Sequence, residues 1–364
     1  MNKLRITALD LVHCPVTAKT TWSFIQLTRA DGVSGWGEAS WVREPGALDP
    51  CHANARRDLL GRPWGSLDAY IARDTRGVPQ AAIASALEQA LWDIRGKDRA
   101  DYAASLMGGG YRTRIPLYAN INRSINERNE AGFARAGLKA RAAGFSRIKI
   151  APFDGLTPDT LHTPPGRQRL HQGLARVAAT RAAIGPDAAL YVDCHWRFDR
   201  LGASAVLKEL AALGVSWFEC PLAETPENIP ALKLLRGEAN SLGMRLAGLE
   251  ELTHPQAFRP WLAAGAYDVV MPDVKYARGI AGVTAVAALA AYYGAGCAPH
   301  NPSGPVAHAA SLVACAISAD IEQLEHQFDE TPAFWRLMDA DFPRPAGGAS
   351  ITPTHAGLGT ALRW

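Results

Sequence analysis

From about Arg114 onward the sequence repeats one unit, a short apolar run followed by a longer segment with helical periodicity. Strands that alternate with helices run parallel and join one sheet, so eight such units over roughly 210 residues favour a (β/α) barrel. A doubly wound sheet is the competing layout. The predicted strands cover residues 115–120, 147–151, 189–193, 216–219, 245–250, 269–272, 296–299 and 321–325.

The first hundred residues follow another pattern. Residues 2–40 alternate apolar and polar side chains around an Asp31-Gly32 turn, which predicts a short antiparallel meander. From about Leu48 the pattern is helical, with Ile83, Leu87 and other apolar residues on one stripe. Because one core rarely grows beyond about 250–300 residues, we expect an α+β domain over residues 1–113 and a barrel domain over residues 114–330.

Composition excludes several classes of protein. The 38 Lys and Arg residues nearly balance 35 Asp and Glu residues, and a net charge of +3 provides no broad field for nucleic acid. The sequence has neither an apolar run of about 18 residues nor an apolar signal core. The six cysteines form no CxxC pair, which is typical of reduced thiols. We therefore expect a cytoplasmic protein without membrane or nucleic-acid partners.

Acidic residues and a histidine follow the predicted strands at intervals of about one unit. In a barrel these positions surround one mouth, where catalytic groups collect. Any one acid alone could be a helix N-cap, but three carboxylates on successive strand ends repel one another unless a cation lies between them. Oxygen ligands favour Mg²⁺, with Mn²⁺ as the alternative. The six residues are Asp193, Glu219, Glu250, Asp273, His300 and Glu325.

Asp273 and His300 end adjacent predicted strands. A carboxylate that accepts a proton from one imidazole nitrogen fixes the tautomer and raises the basicity of the other nitrogen. This pair is therefore a candidate general base.

Five further motifs occur in order along the chain, namely Gly35-Trp-Gly-Glu38, Ala86-Leu-Glu-Gln-Ala-Leu-Trp-Asp-Ile-Arg-Gly-Lys97, Trp217-Phe-Glu-Cys-Pro221, Met271-Pro-Asp273 and Ala356-Gly-Leu-Gly359. Taken together, they resemble the enolase superfamily in its mandelate racemase and muconate lactonizing enzyme branch. The resemblance implies a (β/α)7β TIM-like barrel and an N-terminal α+β capping domain that residues 331–364 complete. It also implies Mg²⁺ bound by Asp193, Glu219 and Glu250, and a base formed by Asp273 and His300.

Within that branch, Asp193-Cys-His195-Trp-Arg197 and residues 298–305 resemble the acid-sugar dehydratases. That resemblance implies that His195 is a general acid. On an extended segment positions i and i+2 share a face, so we expect His195 to stay near the metal that Asp193 binds. Arg197 on the same face would take a substrate carboxylate or hydroxyl.

These features predict a hydro-lyase, an Mg²⁺-dependent dehydratase of an aldonate or aldarate. His300 abstracts the proton α to the carboxylate, the metal stabilises the enediolate, and His195 protonates the departing 3-hydroxyl, which gives a 2-keto-3-deoxy acid. Lys149 and Glu325 are expected to position substrate oxygens, and Asn301 is a further substrate contact. The partner is a small-molecule carboxylate, and we expect a homo-oligomer.

Two other functions remain open. A racemase or epimerase of a 2-hydroxy acid needs bases on both faces of one carbon, and Ala151 stands where the family often has a lysine base. His195 or Lys149 could replace that base. The second alternative is a catalytically silent binding protein on the same scaffold.

Local details also remain open. Leu249 precedes Glu250 where the family commonly has glycine, so either Glu250 or Glu251 is the third metal ligand. The direction of Lys275 is likewise open. The cap loops 16–21 and 41–48, with Arg43 and Glu44, are expected to contact the distal part of the substrate.

Overall fold

A computed structural model describes residues 4–41, 43–75, 77–108 and 112–363. The N-terminal part is the predicted antiparallel meander followed by helices, and its strands lie in the order β1-β2-β3. Its elements are β1 (Ile6–Pro15), β2 (Thr21–Arg29), β3 (Ser34–Glu38), α1 (Leu48–Leu59), α2 (Ser66–Ile71), α3 (Val78–Arg99) and α4 (Ala103–Gly108).

Helix α3 packs directly on β3 because two glycines leave room for its backbone. A Cβ on Gly35 would lie 2.4 Å from the carbonyl oxygen of Ala90, and one on Gly37 would lie 1.8 Å from that of Ala86. Side chains at these positions would push the helix off the sheet. The Gly35-Trp-Gly-Glu38 motif is thus a packing requirement of the cap.

The second part is the predicted barrel. Eight parallel strands alternate with seven helices within the described ranges, and β11 pairs with β4. Ile321 forms a parallel bridge with Cys297, which brings the last strand beside β10. The elements are β4 (Arg114–Asn120), α5 (Glu130–Ala142), β5 (Arg147–Ile150), α6 (Pro164–Ile184), β6 (Ala189–Asp193), α7 (Arg200–Ala212), β7 (Val215–Glu219), α8 (Ile229–Ser241), β8 (Arg245–Gly248), α9 (Pro255–Ala264), β9 (Val269–Val270), α10 (Gly279–Tyr292), β10 (Gly296–Cys297), α11 (Pro305–Ile317) and β11 (Leu324–Gln327).

The predicted strands fall in the right places, but several boundaries differ, and β9 and β10 each end two residues earlier than predicted. The strand predicted over 245–250 stops at Gly248 because Leu249 adopts a left-handed conformation with φ of 74°. The last strand was predicted over 321–325, whereas regular pairing with β4 begins at Leu324. The difference in β8 lies at the barrel mouth, where the backbone turns to place side chains, and the difference in β11 lies at the opposite end of the barrel.

The interior of the barrel below the mouth is filled by large side chains. Tyr118, Tyr191 and Trp217 contact one another there, with the rings of Tyr191 and Trp217 stacked at 4.8 Å between centroids. The barrel is therefore a packed core, and only its mouth is open to a ligand. None of the described helices has the length and apolar character needed to cross a membrane.

The C-terminal segment contacts both parts. It contains α12 (Ala333–Arg336) and β12 (Ala349–Ile351), and β12 pairs antiparallel with β4. Further on, the Leu358 N–H donates to Asp93 of α3 at 3.0 Å, and the Ala103 N–H donates to the Gly357 carbonyl at 2.8 Å. The Ala356-Gly-Leu-Gly359 motif is thus the segment that attaches to the cap helices.

Glu38, at the end of β3, joins the cap to the barrel. Its buried carboxylate accepts the N–H groups of Gly304 at 2.8 Å and Ala307 at 2.9 Å, which lie at the N-terminus of α11. A carboxylate at this position satisfies donors that the helix leaves free and interacts favourably with its dipole. The contact fixes the loop that carries His300 against the cap.

Candidate active site

A cavity of about 520 Å³ lies at the C-terminal ends of the barrel strands. Trp41 and Arg43 of the cap close one side of it. Six of the predicted site residues line it, namely Lys149, Asp193, His195, Arg197, Glu250 and His300.

The three predicted metal ligands lie on neighbouring strands. Asp193 and Glu219 end β6 and β7 as direct partners in register, and Glu250 follows the end of β8. All three side chains are buried. Burial, reinforced by the charges of Asp193 and Glu219, raises the pKa of Glu250 well above its ordinary value. The carboxylates therefore repel one another in a partly desolvated site.

Protein cations and imidazoles meet these carboxylates. His195 Nε2 lies 2.7 Å from Asp193 Oδ2, Lys149 Nζ lies 2.6 Å from Glu219 Oε1, and His300 Nε2 lies 3.5 Å from Glu250 Oε2.

As they stand, no three Asp, Glu, His or Cys side chains of the described residues are arranged to hold a metal ion. The donor chemistry nevertheless fits a hard divalent cation, because three buried carboxylates lie together on neighbouring strands and the pKa of Glu250 is raised well above its ordinary value.

Glu250 and Glu251 both line the cavity, but their side chains point in different directions. Glu250 is 6% exposed and faces His300, whereas Glu251 forms an ion pair with Arg43 of the cap at 2.8 Å. The left-handed backbone at Leu249 makes this turn, which explains why glycine would suit that position.

His195 reaches Asp193 by a different path from the predicted one. The segment is not extended, since His195 and Trp196 have φ of 46° and 57°. The His195 N–H donates to Asp193 Oδ1 at 2.9 Å, so the turn closes on the carboxylate. Arg197 lines the cavity, and its Nη1 donates to the Leu156 carbonyl at 3.0 Å. The expected proximity of His195 and Asp193 is found, but the extended-segment reasoning was wrong.

Asp273, His300 and Lys275 form one hydrogen-bonded group. Asp273 Oδ2 lies 2.8 Å from His300 Nδ1 and accepts from Lys275 Nζ at 2.6 Å, and Oδ1 accepts the Lys275 N–H. Although burial opposes it, the Lys275 ammonium and His300 hold the pKa of Asp273 below its ordinary value. Lys275 also donates to Ser303 and lines the cavity. Its direction, which the sequence left open, is toward the base.

Glu325 and Asn301 support the site from below. Glu325 is fully buried and accepts from Lys149 at 2.8 Å, from Asn120 Nδ2 at 2.7 Å and from the Asn301 N–H at 2.9 Å. The Asn301 amide donates to the Glu325 carbonyl and to His308, away from the cavity. The expectation that Asn301 contacts substrate is therefore wrong, because the turn after His300 directs its side chain toward α11.

Sequence reasoning also missed several residues. Trp217 Nε1 donates to Glu219 Oε2 at 2.8 Å, and its position two residues earlier on the same strand is a readable signal. Glu224 accepts the Leu249 N–H, a contact between loops that no sequence pattern marks.

Trp41 and Arg43 line the cavity, whereas Glu44 and the loop 16–21 do not, and Val42 lies outside the described residues.

The architecture and site define a class of barrel enzyme, and the comparisons with known families agree. Residues 10–108 match the family described as mandelate racemase / muconate lactonizing enzyme, N-terminal domain. Residues 133–364 match the family described as enolase C-terminal domain-like. The chain belongs to the mandelate racemase and muconate lactonizing enzyme branch of the enolase superfamily, and the predicted family and fold are confirmed.

Individual relatives refine this assignment. A D-galactonate dehydratase of Xanthomonas euvesicatoria is 30% identical over 319 residues, which cover 85% of this chain and 78% of that protein. A D-gluconate dehydratase of Thermoproteus tenax is 26% identical over 348 residues, covering 93% and 67%. The crystal structure of a mandelate racemase/muconate lactonizing enzyme from Sulfitobacter sp. aligns with a TM-score of 0.85 at 27% identity, covering 99% and 93%. These matches support a hydro-lyase, as the sequence predicts.

Proposed function

We propose that this protein is a Mg²⁺-dependent dehydratase of a sugar acid, either an aldonate or an aldarate. One observation carries the proposal. Two imidazoles, His300 and His195, line one cavity beside three carboxylates, and Asp273 holds His300 by a hydrogen bond. The dehydratases among the relatives support the same reaction.

His300 is the proposed base. Its Nδ1 is held by Asp273 at 2.8 Å, and its Nε2 lies 3.5 Å from Glu250 Oε2 at the cavity wall. In this tautomer Nε2 carries a lone pair and removes the proton from C2 of the substrate. The electron pair released at C2 moves into the carboxylate.

His195 is the proposed acid. Its imidazole is 41% exposed and lies at the cavity wall beside Asp193. When it is protonated, it donates a proton to the hydroxyl at C3, which departs as water. The resulting enol takes a proton at C3, releases the proton of its 2-hydroxyl and becomes a 2-keto-3-deoxy acid.

The remaining residues position charge. Asp193, Glu219 and Glu250 would hold a divalent cation, which when bound stabilises the negative charge that develops on the substrate carboxylate. Lys149 and Arg197 line the cavity and would bind substrate oxygens. Glu325 acts through Lys149, since it does not line the cavity.

Dehydration is favoured over racemisation by the second face of the cavity. Ala151 supplies no base, and the Lys149 ammonium lies between the carboxylates of Glu219 and Glu325 at 2.6 and 2.8 Å. A lysine held by two acids is protonated and cannot accept a proton.

The test is a screen of aldonates and aldarates with Mg²⁺, which assays 2-keto acid formation and begins with D-galactonate and D-gluconate. Turnover of at least one sugar acid, lost in His300→Asn, supports the proposal. Exchange of the C2 proton with D₂O without loss of water would favour the racemase instead. Full turnover in His300→Asn would reject the assigned base.

A further inference from the structure

We propose that Glu224 is a positioning residue that fixes the direction of the metal ligand Glu250, an inference that rests on the function proposed above. Glu224 lies in the loop after β7, whereas Glu250 lies in the loop after β8. Its Oε1 accepts the Leu249 N–H at 2.6 Å and the Tyr267 hydroxyl at 2.8 Å. The carboxylate thus holds the backbone amide immediately before the ligand.

The held amide belongs to a strained residue. Leu249 is fully buried with φ of 74°, a region that branched L-residues rarely adopt because the side chain crowds the backbone. Such a conformation persists only where its surroundings impose it. A short hydrogen bond from its N–H to a carboxylate is such a constraint, and the turn it holds directs Glu250 inward and Glu251 toward Arg43.

The space around the contact is matched to it. A Cβ on Gly248 would lie 2.3 Å from Glu224 Oε1 and 2.8 Å from Tyr267 Cε1. Any side chain there would displace the carboxylate and the phenol together. Glycine at the end of β8 therefore admits Glu224 to the Leu249 amide.

Glu224 is an acidic residue at a position where no ion pair accounts for its presence. Among the residues that the structure describes, none with a cationic side chain forms an ion pair with it, and burial raises its pKa to about 7. Cys220 Sγ lies 3.8 Å from its Oε1 and 4.0 Å from Glu250 Oε2, so this thiol fills the space between the two acids. This partly buried acid contacts the ligand loop, a tyrosine and a thiol, and its hydrogen bond to the loop gives it a positioning role that packing alone would not require.

The experiment measures Mn²⁺ affinity without substrate, by electron paramagnetic resonance, on folded protein checked by circular dichroism. Glu224→Ala is expected to weaken Mn²⁺ binding about 10- to 100-fold, the usual effect of losing a residue that orients a ligand. Glu224→Gln keeps an acceptor for Leu249 and is expected to restore most of the affinity. Tyr267→Phe removes the other donor and should leave binding within about threefold.

Gly248→Ala provides an independent test, because its methyl group displaces Glu224 without removing it. It should weaken Mn²⁺ binding as Glu224→Ala does, and it carries the test if Glu224→Ala does not fold. Folded Glu224→Ala or Gly248→Ala protein with wild-type Mn²⁺ affinity would overturn this inference alone. Wild-type protein that binds no Mn²⁺ would overturn the proposed metal-dependent function, and this inference with it.

Discussion

Replacing Asp273 by asparagine is expected to abolish most of the turnover while leaving metal binding intact. Asp273 serves three donors: its Oδ2 meets His300 Nδ1 at 2.8 Å and Lys275 Nζ at 2.6 Å, and its Oδ1 accepts the Lys275 N–H at 2.7 Å. An amide has one acceptor oxygen and one NH₂ group. In either orientation of Asp273→Asn, a donor therefore faces a donor.

The consequence for His300 gives the magnitude. If the NH₂ group faces His300, Nδ1 must become the acceptor and Nε2 carries the proton, so the imidazole cannot act as the base. If the oxygen faces His300, the tautomer survives but the negative charge that stabilises the imidazolium is lost. A general base contributes typically 10²–10⁴ in rate, so we expect turnover to fall by that factor, about 3 to 5 kcal/mol at the barrier.

The assay compares 2-keto acid formation and C2 proton exchange in D₂O, and both should fall together because both need the base. Ser303→Ala is the matched control, since it removes the other contact of Lys275 and leaves Asp273 in place. Its turnover should stay within about threefold of wild type, which is less than 1 kcal/mol. Folded Asp273→Asn enzyme with turnover within tenfold of wild type would refute the assigned base.

Three further predictions concern metal, packing and pH. Glu250→Gln should lose Mn²⁺ affinity and Mg²⁺-dependent turnover while Glu251→Gln keeps both, and the reverse order in a metal titration would reject the assigned ligand. Gly37→Ala should lower the free energy of unfolding by about 1–3 kcal/mol, because its methyl group meets the backbone of α3 at 1.8 Å. The control in urea denaturation is Gly46→Ala, since Gly46 has open space around it. Equal stability of the two variants would contradict the packing argument. Burial lowers the pKa of His326 to about 4, so between about pH 6.5 and pH 4 the unfolded chain binds the proton first and stability falls as the pH falls, by about 3 kcal/mol in total. His326→Gln should reduce this loss in denaturation measured from pH 7 to pH 4.5, and an unchanged pH dependence would count against it.

Much of the site was predictable because it follows from periodicity. Parallel strands all end at one face of a barrel, so acids that follow predicted strands must meet there. Strand spacing alone therefore predicts that Asp193, Glu219, Asp273 and His300 lie in one region. The motif resemblance added the cap and the expected roles.

The details that the sequence could not provide all lie in turns. His195 reaches its carboxylate through a left-handed turn, Asn301 points away from the cavity, and Lys275 points toward the base. Each depends on one or two backbone angles just beyond a strand, which no apolar periodicity constrains.

The sequence by itself determined the alternation of strands and helices and the order of the acidic strand ends, because regular spacing of apolar residues dictates secondary structure. The motif resemblance then indicated the barrel and its cap, and in a barrel the strand ends share one mouth. Only the tertiary structure separates Glu250, which is buried beside His300, from Glu251, which pairs with Arg43 at the cap side of the same cavity. That difference depends on the contact of Glu224 with the Leu249 amide and on the ion pair of Glu251 with Arg43. Both contacts join loops far apart in the chain, and their geometry exists only once the barrel and cap have packed together.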